Sequence, residues 1–191
     1  QLTIEPGTGF FRQNVSGADQ DLGADLFELT QELCEDAGLP AYEVSNHARA
    51  GEQSRHNMTY WQGGDYIGIG PGAHGRLSTS GVTRATHQIA DPAKWLNAIA
   101  TAGHATAKVR ELSTRERAEE LVLSGLRLTD GIDAERFAQQ CGQGLTQVLN
   151  TDALFELQTA QLITFDGQRL ATTAGGRLML NTLITRLLDE A

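Results

Sequence analysis

The stretch from Arg55 to Arg76, RHNMTYWQGGDYIGIGPGAHGR, constrains the fold of this chain more than any other. It holds six of the 21 glycines, one of the two tryptophans, two of the three tyrosines and two of the five histidines. Each glycine costs a helix about 1 kcal/mol, so we expect backbone that bends sharply or lies close to something flat. Aromatic rings and imidazoles beside such backbone predict the wall of a pocket for a large, partly apolar ligand.

The residues before this stretch predict an α/β fold. Residues 1–5 alternate between apolar and polar side chains, as a strand does, and residues 41–45 repeat that pattern. Between them, residues 19–37 have leucines at helical spacing, with Asp19 at the start and Gly38 at the end. A strand, a long helix and a strand form a βαβ unit with parallel strands. Ligands of such folds lie beyond the carboxyl ends of the strands, which places residues 55–76 over the active face.

The rest of the chain predicts a hairpin and then a second domain. Residues 65–77 are extended and pair with residues 82–86, and a helix opens at Asp91–Pro92. We expect one domain over residues 1–104, a linker over residues 105–112 and a second domain over residues 113–191.

The second domain is predicted to be mostly α-helical and winged-helix-like. Ser113 and Glu116 form a capping box, and Asp133 caps a shorter helix. A helix follows over residues 152–160, then a hairpin over residues 162–172, and Thr173 caps a last apolar helix. Winged helices commonly bind DNA, but a domain that covers or packs against the first one is the better interpretation here.

Charge excludes several partners. The chain carries a net charge of −9, and from Glu111 onward there are seven Arg or Lys residues against twelve Asp or Glu. Nucleic acid and anionic membranes both attract clustered cations, so neither is expected as a partner. No apolar run is long enough to span a bilayer, and the first residues lack the features of a signal peptide. We therefore expect a cytoplasmic protein.

The first residue, Gln1, stands inside the predicted strand rather than before it. We therefore expect a larger protein whose front is missing. Such a strand would present an unpaired edge. We expect this edge to be covered either by pairing with another chain, as in a homodimer, or by a rearranged N-terminus.

Five motifs now identify a family. They occur in the order TIEPGT at 3–8, YEVSNHARAG at 42–51, RHNMTYW at 55–61, GDYIGIGPGAHGR at 64–76 and GLRLTDGID at 125–133. Together they resemble the oxygen-independent coproporphyrinogen III oxidase-like proteins of the radical-SAM superfamily, over nearly the whole chain. The HNxxYW motif, here His56, Asn57, Tyr60 and Trp61, favours the HemW-type branch of haem chaperones.

The resemblance implies a protein with two cofactors besides haem. Family members have a partial (β/α)6 barrel with a [4Fe–4S] cluster on a CxxxCxxC motif, and S-adenosylmethionine (SAM) binds that cluster. This chain has two distant cysteines, Cys34 and Cys141, and no such motif. The cluster and most of the SAM pocket would belong to the full-length protein. We therefore expect no radical chemistry from this chain, which would supply the end of the barrel and the C-terminal domain.

The resemblance also assigns roles to single residues. His56 becomes the candidate axial ligand of haem iron, with Asn57, Tyr60 and Trp61 as further haem-binding residues. From the residues alone, His56 could equally be a loop residue that forms hydrogen bonds. For Tyr60 and Trp61, core aromatics that position His56 are the better interpretation than direct contacts with haem.

Two further groups complete the candidate site. Residues that would face the adenine of SAM are Leu2, Thr3, Gly68, Ile69, Gly70, Ala73 and His74. For the glycines among them, a close-packed strand is an equally good interpretation. Arg55, Arg76 and His47 are candidates for contacts with the propionates of a porphyrin.

Three functions remain open at this point. The first is the haem- or porphyrin-binding part of a HemW-like protein that passes haem to an acceptor protein. The second is part of a true SAM-dependent coproporphyrinogen III oxidase of porphyrin biosynthesis. The third is a non-catalytic interaction module built on the acidic second domain.

Overall fold

The computed structural model describes residues 4–189, which form ten helices and eight strands. The helices are α1 (Gly9–Arg12), α2 (Gln20–Asp36), α3 (Arg55–Trp61), α4 (Pro92–Ala102), α5 (Thr114–Gly125), α6 (Ala134–Cys141), α7 (Leu145–Val148), α8 (Thr151–Thr159), α9 (Ala174–Arg177) and α10 (Leu180–Leu188). The strands are β1 (Ala41–Glu43), β2 (Asn46–His47), β3 (His74–Thr79), β4 (Val82–Gln88), β5 (Thr106–Glu111), β6 (Ile132–Asp133), β7 (Ile163–Phe165) and β8 (Arg169–Thr172).

Helix α2 confirms the prediction for residues 19–37. Asp19 caps it by accepting a hydrogen bond from the backbone of Leu22 at 2.9 Å, and the chain turns at Gly38 with a positive φ of 70°. The apolar side chains predicted for one face are largely exposed: Leu22, Leu26, Leu29 and Leu33. Within residues 4–189, no helix combines the length and apolar character needed to cross a membrane.

The predicted parallel βαβ unit stays a prediction, but β1 has an antiparallel neighbour that the sequence did not predict. Strand β1 pairs with β2 as a tight antiparallel hairpin, in which Glu43 faces Asn46. The reason is local: the carboxylate of Glu43 accepts hydrogen bonds from Ser45 and Asn46, which reverses the chain at once. The predicted first strand includes Leu2 and Thr3, which lie outside the described residues, and residues 4 and 5 are not in a strand.

A three-stranded antiparallel sheet forms the middle of the chain, in the order β3-β4-β5. It confirms the hairpin between the extended segment and residues 82–86, with Ser78 opposite Thr83. Most of the predicted linker is also ordered in this sheet, because Thr106–Glu111 pairs with β4 as strand β5. The domain boundary at this segment stays a prediction.

The glycine-rich stretch contains a helix that the sequence analysis did not expect. Ser54 caps α3, and the seven residues that follow contain neither glycine nor proline. The helix ends where the glycines begin, at Gly63, whose φ is 64°. The segment from Gly68 to Ala73 is a loop with a turn rather than a strand, and β3 starts at His74.

The C-terminal part holds the apolar core. The capping box of Ser113 and Glu116, the Asp133 cap of α6 and the β7–β8 hairpin are all confirmed. Strand β8 lies between β6 and β7. The largest fully buried side chains there are Phe137, Leu126, Ile163, Leu170, Leu183, Leu187 and Val122. The predicted last helix is broken into α9 and α10 at Leu178 and Met179.

Gly131 provides a test of the packing between the loop before β6 and strand β8. A Cβ atom at Gly131 would lie 2.1 Å from the carbonyl oxygen of Leu170, and its φ is 70°. We expect Gly131→Ala to lower the free energy of unfolding by at least about 3 kcal/mol, from the left-handed backbone plus the clash. The measurement is urea unfolding followed by circular dichroism.

Gly142→Ala is the matched control. Gly142 has a φ of 77° and open space where its Cβ would be, so only the backbone cost of about 1 kcal/mol applies. Equal losses for the two variants would contradict the close approach at Gly131.

Candidate functional site

Helix α3 carries the HNxxYW motif, and its carboxyl end is fixed to the C-terminal part. The carbonyl oxygen of Gly63 accepts hydrogen bonds from the Arg117 guanidinium and from the Gln140 amide. The side chain of Leu121 occupies the space beside Gly63, where a Cβ would lie 2.1 Å from its Cδ2. Glycine is therefore required at this position, and the helix cannot slide along α5.

One face of α3, called the outward face below, carries the exposed His56 and the half-buried Tyr60. These residues are four positions apart, so they share a face. His56 is exposed, and its ring meets the ring of Tyr60 edge-on with centroids 4.7 Å apart. Tyr60 in turn packs on Tyr66 at 4.3 Å, and burial raises the pKa of the Tyr66 phenol. The outward face therefore presents an accessible imidazole, and two aromatic rings pack behind it.

The other face of α3 points inward and carries Asn57 and Trp61. The Asn57 amide donates a hydrogen bond to the hydroxyl of Tyr42 at 3.2 Å. The Arg127 guanidinium lies 4.5 Å from the centroid of the Trp61 ring, which is cation–π geometry. The indole N–H of Trp61 is buried and has no hydrogen-bond acceptor among the described residues, so the contact depends on the ring face.

Glu43 ties this inward face to the β1–β2 hairpin. Its side chain is fully buried, and its Oε2 accepts a hydrogen bond from Arg127 at 2.9 Å. Its Oε1 accepts from the backbone and hydroxyl of Ser45 and from the amide of Asn46. Burial alone would raise the pKa of Glu43, but these donors and the charge of Arg127 outweigh it, so the pKa is lowered. The carboxylate is therefore held charged.

The three candidate propionate contacts differ in whether their side chains already bind another residue. Arg55 is exposed and forms no ion pair with any residue from 4 to 189. Arg76 is bound to Glu120, with its Nη2 at 2.7 Å from Oε1, and this hydrogen bond raises the pKa of Arg76. His47 is half-buried, with its Nε2 at 3.3 Å from Oε1 of Gln31. Arg55 is the cation best placed for a new anion.

The candidate adenine residues lie on a loop that runs beside β3. A Cβ at Gly68 would lie 2.3 Å from the carbonyl oxygen of His74, so glycine is needed there for packing within the chain itself. Ile69 is 83% exposed, and the space around Gly70 is open. Ala73 is half-buried, and His74 is exposed. Leu2 and Thr3 lie outside the described residues, so the structure brings together only part of this predicted group.

A cavity of about 550 Å³ lies between α3 and the C-terminal part. Met58 and Trp61 form one wall, Phe137 another, and Arg136 and Arg169 stand among its polar residues. Sequence reasoning missed it because its walls come from segments far apart in the chain. It also missed Glu43 and Arg127 as a pair, although each falls within a motif that it had singled out.

The residues of this chain fit haem better than they fit an iron–sulfur cluster. An exposed imidazole, neighbouring aromatic rings and a free arginine are groups that bind an iron porphyrin. A [4Fe–4S] cluster needs more thiolates than the two cysteines of this chain can supply, and those two lie on α2 and α6. Among residues 4–189, no three His, Cys, Asp or Glu side chains form a metal-binding cluster.

Comparison with known proteins identifies a matching family model and related sequences. A family model described as the HemN C-terminal domain matches residues 112–179. The mitochondrial radical S-adenosyl methionine domain-containing protein 1 of Mus musculus is 38% identical over 200 residues, covering 100% of this chain and 45% of that protein. Heme chaperone HemW of Bacillus subtilis is 33% identical, covering 99% of this chain and 50% of that protein.

One solved structure has a similar fold. Coproporphyrinogen III oxidase (HemN) from Escherichia coli, described as a radical SAM enzyme, aligns with a TM-score of 0.65 at 14% identity. The alignment covers 90% of this chain and 42% of that one. The chain thus spans about half the length of the relatives it matches.

Replacing Glu43 tests the buried network. We expect Glu43→Gln to lower the free energy of unfolding by about 3 kcal/mol at pH 7, because it leaves Arg127 without its charged partner. The wild-type carboxylate stabilises the fold above its unfolded pKa of about 4.3, and this stabilisation is lost as pH falls through the lower folded pKa. The difference between the two proteins should therefore shrink on acidification below about pH 4. Urea unfolding over a pH series measures it.

Glu52→Gln is the control for this experiment. Glu52 is 65% exposed and 3.6 Å from Arg49, and such surface pairs contribute at most about 1 kcal/mol. If Glu43→Gln were no more costly than Glu52→Gln, the buried network would not support the site.

Proposed function

Because this chain belongs to the HemW-type branch of the oxygen-independent coproporphyrinogen III oxidase-like radical-SAM family, whose C-terminal portion it matches, we propose that it carries the haem-binding segment of a haem chaperone. The observation that carries the proposal is the division of α3 into two faces. One face is fixed by Tyr42 and Arg127, and the other presents the exposed His56.

In this proposal a ring nitrogen of His56 would bind the haem iron, because imidazole is a common ligand of haem iron. Tyr60 holds the His56 ring in position through their edge-on contact, and Tyr66 holds Tyr60. Arg55, next to His56 and exposed, supplies a cation for a propionate. Aromatic side chains add apolar area at little cost in conformational freedom.

Asn57 and Trp61 are positioning residues in the same proposal. Neither needs to contact haem, because their side chains are engaged with Tyr42 and Arg127. A rigid helix places its outward side chains in one geometry before the ligand arrives. This reduces the loss of conformational entropy on binding and so strengthens it.

SAM and a [4Fe–4S] cluster are proposed only for a full-length protein, with residues from Gly68 to His74 on the adenine side. The cluster would supply the electron that cleaves SAM, and no step of that kind is assigned to this chain. A true coproporphyrinogen oxidase is the alternative. It is less favoured because the relatives above 30% identity include a haem chaperone. The oxidase is similar to this chain in fold but only 14% identical in sequence.

We also propose that the chain ends in a winged-helix-like domain placed after the end of a partial barrel. The order α5, β6, α6, α8, β7, β8, with β8 central in the sheet, supports this. Its net negative charge supports a covering role rather than nucleic-acid binding. Delivery of haem to an acceptor protein, a homodimer through the first strand and a cytoplasmic location stay predictions.

Titration with haemin tests the proposal. We expect the wild-type chain to give a Soret shift that saturates at about one equivalent. His56→Ala should bind haemin at least about tenfold more weakly, or give a different Soret position, because an iron ligand is lost. Absorption spectroscopy measures both quantities.

His104→Ala serves as the control, since His104 is also exposed but lies outside the motif. Its titration should match that of the wild type. If His56→Ala and His104→Ala behaved alike, or if the wild type showed no saturable shift, His56 would not be the ligand in this chain.

A further inference from the structure

Two histidines meet across strands β3 and β4, away from the motif helix. His74 and His87 are directly opposite in the register of the sheet. The backbone hydrogen bond from Gln88 to Ala73 lies beside them, which makes them a non-hydrogen-bonded pair. Side chains of such pairs stand closest together in an antiparallel sheet. Their rings are stacked, with centroids 4.3 Å apart and planes 16° from parallel.

Both rings are free to bind something else. Among residues 4–189, His47 is the one histidine whose ring forms a hydrogen bond with another residue. The His74 side chain is exposed and that of His87 is half-buried, so solvent reaches the pair from one side. The residue opposite His87 on β5 is Lys108. Uncharged imidazole is the form that binds metal ions.

The spacing suits two bonds to one metal ion. Zinc–nitrogen bonds of about 2.0–2.1 Å at a tetrahedral angle put the two nitrogens about 3.3 Å apart. The stacked rings are only 16° from parallel, so their nitrogen lone pairs do not converge, and binding one ion requires each ring to turn about its side-chain bonds. The strands themselves need not move, because the register already fixes the two Cα positions.

We propose that His74 and His87 form a two-imidazole site for a divalent transition-metal ion of the zinc type. Imidazole nitrogens suit zinc, copper and nickel, whereas magnesium and calcium prefer oxygen ligands. Two protein ligands leave coordination positions open for water or for a ligand from another molecule. The site is independent of the proposed haem segment, because it uses neither His56 nor any residue of α3.

Calorimetric titration of the untagged chain with Zn²⁺, without any porphyrin, tests this inference. We expect saturable binding with a stoichiometry near one. His74→Gln and His87→Gln should each weaken the binding at least about tenfold, since one of two protein ligands is lost. In the wild type, the imidazole proton signals of His74 and His87 should shift together during the titration, as measured by nuclear magnetic resonance.

His56→Gln and His104→Gln are the controls, and both should retain wild-type affinity for Zn²⁺. Circular dichroism of every variant checks that it is folded. Because His74 is exposed, His74→Gln is the variant expected to disturb folding least. The inference is overturned if the wild type shows no saturable binding or if His74→Gln binds Zn²⁺ as tightly as the wild type. It is also overturned if the signals of other histidines shift instead.

Discussion

The contact between Arg127 and the ring of Trp61 is the interaction on which the candidate site depends. Arg127 lies between Trp61 on α3 and the buried carboxylate of Glu43 on β1. It therefore links the motif at 125–133 to the two neighbouring motifs at 42–51 and 55–61. Without it, α3 would still be held by Gly63 and by the hydrogen bond from Asn57 to Tyr42, but the Trp61 ring would lose its cation. Together, these contacts fix the orientation of α3 and therefore the directions of its side chains.

This constraint explains how one seven-residue helix can serve two purposes. A helix this short is not stable alone, so tertiary contacts must hold it. The inward side chains, Asn57 and Trp61, make those contacts and leave His56 exposed. In the motif HNxxYW, His56 and Tyr60 are four positions apart and share one face, and Asn57 and Trp61 are four positions apart and share another. Under the proposed function, the motif therefore combines a binding surface with the side chains that support it.

Much of the C-terminal part could be predicted because its signals are local. The capping box at Ser113, the Asp133 cap and the hairpin before α9 each depend on residues close in sequence. Helix α3 was missed because glycine density over the whole stretch concealed seven residues without glycine. The antiparallel neighbour of β1 was not predicted because the turn after β1 is made by the Glu43 side chain, which a hydropathy pattern does not register.

The functional pairings were harder to predict than the elements. Arg76 was expected at a propionate, but its partner Glu120 lies 44 positions away on another element. The pairing of His74 with His87 depends on the register of β3 and β4, which is set by the sheet as a whole. The motifs identified which segments matter, and only the fold identified which side chains of those segments are free.

The central claim is that the outward face of α3 binds and the inward face supports. Urea unfolding of the wild type, His56→Ala and Trp61→Leu, each with and without haemin, tests it most directly. Without haemin, Trp61→Leu should lose about 2 kcal/mol and His56→Ala almost nothing. Haemin at about one hundred times its wild-type Kd should add about 2.7 kcal/mol to the wild type and a similar amount to Trp61→Leu, but at most about 1.4 kcal/mol to His56→Ala, which binds at least about tenfold more weakly. Equal stabilisation of His56→Ala and the wild type by haemin would contradict the account.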